Sequence, residues 1–326
     1  MKKIIALILC FSTIMGCCFM LTACGDDGKY NIGICQLVQH PALDAATEGF
    51  MAAVKEGLGE ENVNFDLQNG NNDPTMCKTI TDNFKNKQVD LIMANATPAL
   101  QAAVKSTKDI PILGTSITEY GVALNIDDFD GVVGGNVSGT SDLAPLDKQA
   151  QMVIDLFPEA KKVGLLYAAS EANSVYQVKV VKEYLEGKNI KCKEYTFTDT
   201  NDVSIIAQQA AAENDALYIP TDNTAASCSD AIYKAMNPKK PIICGESGIC
   251  KGCGIATLSI DYYDLGYATG EMAVKILKGE ADISKMAIEY TPEEKLAKIY
   301  NEAICKELNI DIEALKTAGY SALEAE

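Results

Sequence analysis

The 326-residue chain contains no Arg and no Trp, and its one His is His40. Without Arg there is no planar guanidinium fork for phosphates, and a net charge of −17 repels polyanions. Nucleic-acid binding is therefore excluded. A hydrolase with an imidazole base would have to use His40, and no Gly-x-Ser-x-Gly element is present to partner it. The plainer reading of His40 is a loop residue without catalytic duty. Low-complexity tracts and blocks of like charge are also missing. What remains is an ordinary folded composition, 48% apolar and 22% charged, long enough for one large core or two of normal size.

The amino terminus sets the compartment. Lys2-Lys3 precede an apolar run from Ile4 to Leu21, followed by Leu21-Thr22-Ala23-Cys24-Gly25. A short basic region, an apolar core and small residues describe a secretory leader over residues 1–23, with a retained membrane anchor as the alternative. Leu-Thr-Ala-Cys resembles the lipobox of bacterial lipoproteins, which implies lipidation of Cys24 and an exported chain held at the outer face of the cell membrane. Residues 24–29 then form a tether. Loss of the leader removes Lys2 and Lys3 and no acid, so −17 becomes −19. Eight Cys lie beyond Cys24, three of them close together as Cys244, Cys250 and Cys253. One Cys-x-x-Cys without a second pair or a nearby His gives no zinc site, so no metal is expected. A Cys250–Cys253 disulfide bracing a loop is the first reading, and free thiols are the alternative.

The rest of the chain repeats itself. Asp90-Leu91-Ile92-Met93-Ala94-Asn95-Ala96-Thr97-Pro98 reads like Asp215-Ala216-Leu217-Tyr218-Ile219-Pro220-Thr221-Asp222-Asn223, and Ile110-Pro111-Ile112 like Lys240-Pro241-Ile242. The common offset, roughly 130 residues, is a domain length rather than a solenoid period. Short apolar strands alternate with helices in both halves, predicting an α/β fold of two similar, doubly wound parallel-sheet lobes. The expected boundaries are 30–142 plus about 262–284 for lobe 1, and 143–261 plus about 285–320 for lobe 2. The chain then crosses three times between lobes, with a ligand cleft between them. A helix is expected over 296–308, and another, unbroken, over 224–235.

Ligands of open parallel sheets bind outside the carboxyl ends of the strands. In lobe 1 the loops there offer Gln36, His40, Thr97, Pro98, Ser116, Ser141 and Asp142. In lobe 2 they offer Ser170, Glu171, Asn173, Ser174, Asp222, Asn223, Glu246 and Asp261. Ser, Thr, Asp and Asn at helix starts are ordinary caps, and for any single loop capping explains them equally well. Convergence of polar loops in both lobes favours a site. With no Arg, a ligand carboxylate would rest on hydroxyls and helix-start N–H groups, while Asp222 or Glu246 would pair an ammonium. Together these describe a free amino acid.

The same residues carry a family resemblance over the whole mature length. Gln36…His40-Pro41-Ala42-Leu43-Asp44, Ala96-Thr97-Pro98-Ala99, Gly135-Asn136-Val137-Ser138-Gly139-Thr140-Ser141-Asp142 and Ser170-Glu171-Ala172-Asn173-Ser174 are part of it. Asp222-Asn223 and Asp261-Tyr262-Tyr263-Asp264-Leu265-Gly266 complete it. The chain is similar to ABC-transporter substrate-binding lipoproteins of the TrpX type, which have the type I periplasmic-binding-protein fold. The resemblance implies an aromatic amino acid as ligand (Trp, Phe or Tyr), an ABC permease with its ATPase as partners, no cofactor, a monomer and no bond-making chemistry. It departs from the family after the fourth strand, where many members have Thr-Asp-Pro and this chain has Ser116-Ile117-Thr118-Glu119-Tyr120. A receptor module of the same fold feeding a signalling partner is the alternative.

Overall fold

The computed structural model describes residues 28–323; the leader, Cys24 and most of the tether lie outside the described residues. Lobe 1 begins with β1 (Tyr30–Gln36), α1 (Pro41–Leu58), β2 (Val63–Asn69), α2 (Pro74–Lys87) and β3 (Leu91–Asn95). It continues with α3 (Thr97–Ser106), β4 (Ile112–Ile117), α4 (Tyr120–Leu124) and β5 (Val137–Ser141). Lobe 2 opens with α5 (Leu146–Leu156), β6 (Lys162–Ala168), α6 (Ala172–Gly187), β7 (Lys191–Phe197), α7 (Val203–Glu213) and β8 (Ala216–Ile219). Next come α8 (Asn223–Ser227), α9 (Ser229–Ala235), β9 (Ile242–Cys244), α10 (Ser247–Cys253) and β10 (Ala256–Ser259). The chain ends with α11 (Tyr262–Leu277), β11 (Glu289–Tyr290), β12 (Ala297–Tyr300), α12 (Glu302–Glu307), α13 (Ile312–Thr317) and β13 (Ser321–Ala322).

Two sheets form. One has the order β11-β5-β4-β3-β1-β2 and the other β13-β12-β10-β9-β8-β6-β7. Both place their first strand between the second and the third, so the duplication read from the sequence is a duplication of topology. Pairing is parallel except where β12 runs antiparallel to β10. β3 and β4 are buried along their whole length, as expected for strands covered by helices on both faces. The reversal of strand order between β1 and β3, and again between β6 and β8, opens a crevice at the carboxyl end of each sheet.

The chain crosses between lobes three times, after β5, before α11 and after β11. α11 returns to lobe 1 and lies against α1, β4 and β5. The close approach of α1 and α11 requires glycine: a Cβ on Gly266 would sit 1.9 Å from the Ala46 carbonyl oxygen, and one on Gly49 2.1 Å from that of Tyr263.

Three local expectations need correction. Residues 289–290 pair with β5 in the first sheet, so the last crossing comes after 290 rather than at about 285. The helix expected over 296–308 is a strand, β12, followed by the short α12, because Ala297–Tyr300 completes the exposed side of β10. The helix expected over 224–235 breaks at Cys228, whose φ of −137° lies outside the helical range, giving α8 and α9.

The expected Cys250–Cys253 disulfide is also absent. Both thiols are free and buried, as are those of Cys35, Cys77, Cys244 and Cys305, while Cys192 and Cys228 are free and half-buried. The segment is a helix, capped by Glu246 through the N–H groups of Gly248 and Ile249. Cys253 Sγ donates instead to the Ile249 carbonyl one turn back, at 3.4 Å.

Candidate functional site

The carboxyl ends of the two sheets face each other across a narrow cavity, with only about 10 Å³ open to the centre of a water-sized sphere. Its walls include His40, Asp142, Asp222, Asn223 and Glu246, all expected from the sequence, together with Leu43, Thr221, Ala226 and Tyr262. The lobes are closed over it. His40 Nε2 lies 3.4 Å from Asn223 Oδ1, and Asn72 Nδ2 donates to Thr224 Oγ1 at 3.0 Å, each contact joining one lobe to the other.

The carboxylates differ in how they are used. Asp222 is fully engaged: Oδ1 accepts the N–H of Ala225, and Oδ2 accepts that of Ala168 and the Ser174 hydroxyl. It ties α8 to the end of β6, a structural duty for one of the two carboxylates expected to pair an ammonium. Glu171 accepts from Thr224 N and Oγ1, Asn223 N and Nδ2, and Asn173 Nδ2. That carboxylate orders the start of α8 from across the crevice. Glu246 caps α10 with both oxygens. Asp142 stands apart. Oδ2 accepts the Tyr262 hydroxyl at 2.9 Å, but the buried Oδ1 has no partner.

Burial dominates the electrostatics. It raises the Asp142 carboxyl above the usual range, against the opposing hydrogen bond from Tyr262. Burial likewise pushes Asp222 and Glu246 up to about 7, with a neighbouring carboxylate, Glu171 and Asp142 respectively, adding to it. No lysine lines the cavity. His40 is also held neutral, its pKa lowered mainly by burial. Such a space favours a ligand that brings its own positive charge.

The remaining expected residues fall into three groups. Thr97 and Ser116 are buried at the carboxyl ends of β3 and β4, and Pro98 is half-buried beside Thr97. Ser116 has φ of 55° and its Oγ has no partner, while the first turn of α3 has no side-chain cap. Gln36, Ser141, Asn173 and Ser174 are buried braces. Gln36 Nε2 donates to the Asp44 carboxylate at 2.6 Å, its Oε1 accepts from Thr47, and Ser141 Oγ donates to the Thr118 carbonyl. Ser170 and Asp261 are exposed and lie outside the cavity wall; Asp261 caps α11 through the Asp264 N–H. Leu43, Thr221 and Tyr262 fall inside motifs or loops read from the sequence but, like Ala226, were not expected to contact the ligand. Among the described residues there is no cluster suited to a metal ion.

A closed, acidic cavity between twin parallel-sheet lobes defines a two-lobed small-molecule binding protein of the periplasmic-binding type. The chain belongs to the family described as ABC transporter substrate binding protein, whose model matches residues 31–319. It is 37% identical over 301 residues to a tyrosine-binding protein of Clostridioides difficile, covering 86% of this chain and 85% of the relative. In structure it resembles an ABC domain from Streptococcus pneumoniae in complex with L-Trp, with a TM-score of 0.84 and 31% identity over 90% of this chain and all of the other. The ligand-free, open structure of a substrate-binding protein from Clostridium difficile has higher identity, 38%, but a TM-score of only 0.68 over 91% of this chain and all of the other. The closer shape match to the ligand-bound relative agrees with the closed lobes. As a member of this family the protein is the extracytoplasmic, ligand-carrying component of an ABC transporter.

Proposed function

We propose that this protein captures an aromatic amino acid outside the cytoplasm and delivers it to an ABC permease. The observation that carries the reading is the buried Asp142 Oδ1, unpartnered in a cavity lined by carboxyls and no lysine. An α-ammonium group satisfies it, with Glu246 as the second acidic wall. Thr97, Ser116 and the uncapped start of α3 supply donors for the carboxylate, as hydroxyls and helix N-termini do where no arginine is present. Leu43 and Ala226 offer apolar wall to a ring. The tyrosine- and tryptophan-binding relatives support the aromatic class.

Binding, closure and release make up the cycle, with no bond made or broken. The proposal includes a lipid anchor at Cys24 and a monomer that acts alone on its ligand. The test is calorimetry on residues 25–326, stripped of endogenous ligand by unfolding and refolding, against the twenty amino acids. Tight binding confined to Trp, Phe or Tyr supports the reading. Silence across all twenty contradicts it.

A further inference from the structure

Glu171 fixes more than the start of α8. Its Oε2 accepts the Asn223 Nδ2 group at 2.7 Å, and a carboxylate ion can only accept. The Asn223 amide is therefore oriented with Nδ2 toward Glu171 and Oδ1 toward His40, 3.4 Å from Nε2. Oδ1 is itself an acceptor, so the hydrogen of the neutral imidazole belongs on Nε2. That leaves Nδ1 as a bare lone pair. His40 is 7% exposed, lines the cavity, and its Nδ1 is buried without a partner.

We propose that His40 Nδ1 reads the ring of the ligand, so the site selects aromatic amino acids bearing a ring hydrogen-bond donor, a phenol O–H or an indole N–H. This rests on the proposed aromatic ligand and adds the distinction within that class. A neutral acceptor is the weaker partner for an ammonium, which the acidic Asp142 and Glu246 attract more strongly. His40 is left for an uncharged donor, and Leu43, three residues on, lines the same cavity for the ring. The selection acts at closure. His40 belongs to lobe 1 and Asn223 to lobe 2, so the tautomer is set when the two meet. A ring without a donor leaves that lone pair buried and unsatisfied, which is costly.

The experiment is calorimetry of ligand-stripped protein with L-tyrosine, L-tryptophan and L-phenylalanine, repeated on His40→Leu and Asn223→Ala. The wild type should bind the tighter of tyrosine and tryptophan about 100-fold more strongly than phenylalanine. In His40→Leu the gap should shrink to within about threefold, because phenylalanine no longer strands an acceptor. Asn223→Ala, which frees the tautomer, should narrow the gap in the same direction and serves if His40→Leu does not fold. Phenylalanine matching both other ligands in the wild type overturns the inference while leaving the aromatic reading intact. A gap unchanged in His40→Leu, or in Asn223→Ala where that variant serves, overturns it as well. Failure of all three to bind removes the aromatic reading and this inference with it.

Discussion

The two lobes share a topology but present different chemistry to the cavity. In lobe 2 the carboxylates at the strand ends are occupied by the protein itself, although Tyr233 Oη and Thr257 Oγ1, away from the strand-end loops, are buried without a partner. Glu171 and Asp222 order the start of α8, and Glu246 the start of α10. Of its strand-end loops, only Asn173 has an unpartnered buried side-chain atom, Oδ1. Lobe 1 is the reverse: His40 Nδ1, Asn95 Oδ1, Ser116 Oγ and Asp142 Oδ1 are all buried and unpartnered at its carboxyl end. Buried polar atoms are normally satisfied, so their concentration on one side marks where a ligand completes the network. Lobe 1 holds the open valences, and lobe 2 is a preassembled cover that closes on them.

Glu171→Ala should break this contrast most severely, by dismantling the cover. It removes the acceptor for five donors. We expect a loss of about 3 kcal/mol or more in stability, read as a lower denaturant midpoint. Gly266→Ala attacks the opposite lobe through packing. A methyl 1.9 Å from the Ala46 carbonyl forces α1 and α11 apart, at a cost of about 2–3 kcal/mol in the same assay.

Proton linkage sharpens the contrast at smaller amplitude. Asp222 and Glu246, raised to about 7, hold protons in the folded state that the unfolded chain has already lost. Their contribution to the stability of the ligand-free protein is therefore full at low pH and is lost as pH rises through 7. Ligand binding runs the other way, because an ammonium needs ionised carboxyls. Between pH 6 and 8 affinity should rise by about tenfold, with protons released on binding, while the ligand-free melting temperature falls. Calorimetry in buffers of different ionisation enthalpy measures both the affinity and the proton count. The smallest effect belongs to reductant. With eight free thiols among the described residues, a reducing agent should leave the melting curve unchanged, and alkylation after denaturation should label all eight.

Much of this was legible in the sequence. The repeated strand-loop-helix pattern gave the twin sheets, and counting loops at strand ends located five of the residues that line the cavity, His40, Asp142, Asp222, Asn223 and Glu246. The division of labour among those residues was not legible. Asp222 and Asp142 are the same residue type at comparable strand ends. What separates them is whether the lone pairs already meet local N–H groups, and that depends on the three-dimensional path of α8. Tyr262 was hidden for a related reason. Its phenol works on Asp142, 120 residues away in sequence, and only the return of α11 to lobe 1 brings them together. Cys250 and Cys253 have a spacing that fits a disulfide loop, but Glu246 caps the segment into a helix whose backbone receives the Cys253 thiol.

The most direct test is a pair of titrations with the best-binding aromatic amino acid, one on Asp142→Asn and one on Asp222→Asn, each with a melting curve. Asp142→Asn should melt near wild type and bind about 100-fold or more weakly, in line with removing one partner of a buried charge pair. Asp222→Asn should lose stability, and whatever fraction remains folded should bind within about tenfold of wild type. The reverse pattern, with Asp142→Asn binding normally and a stable Asp222→Asn failing to bind, would contradict the assignment of open valences to lobe 1.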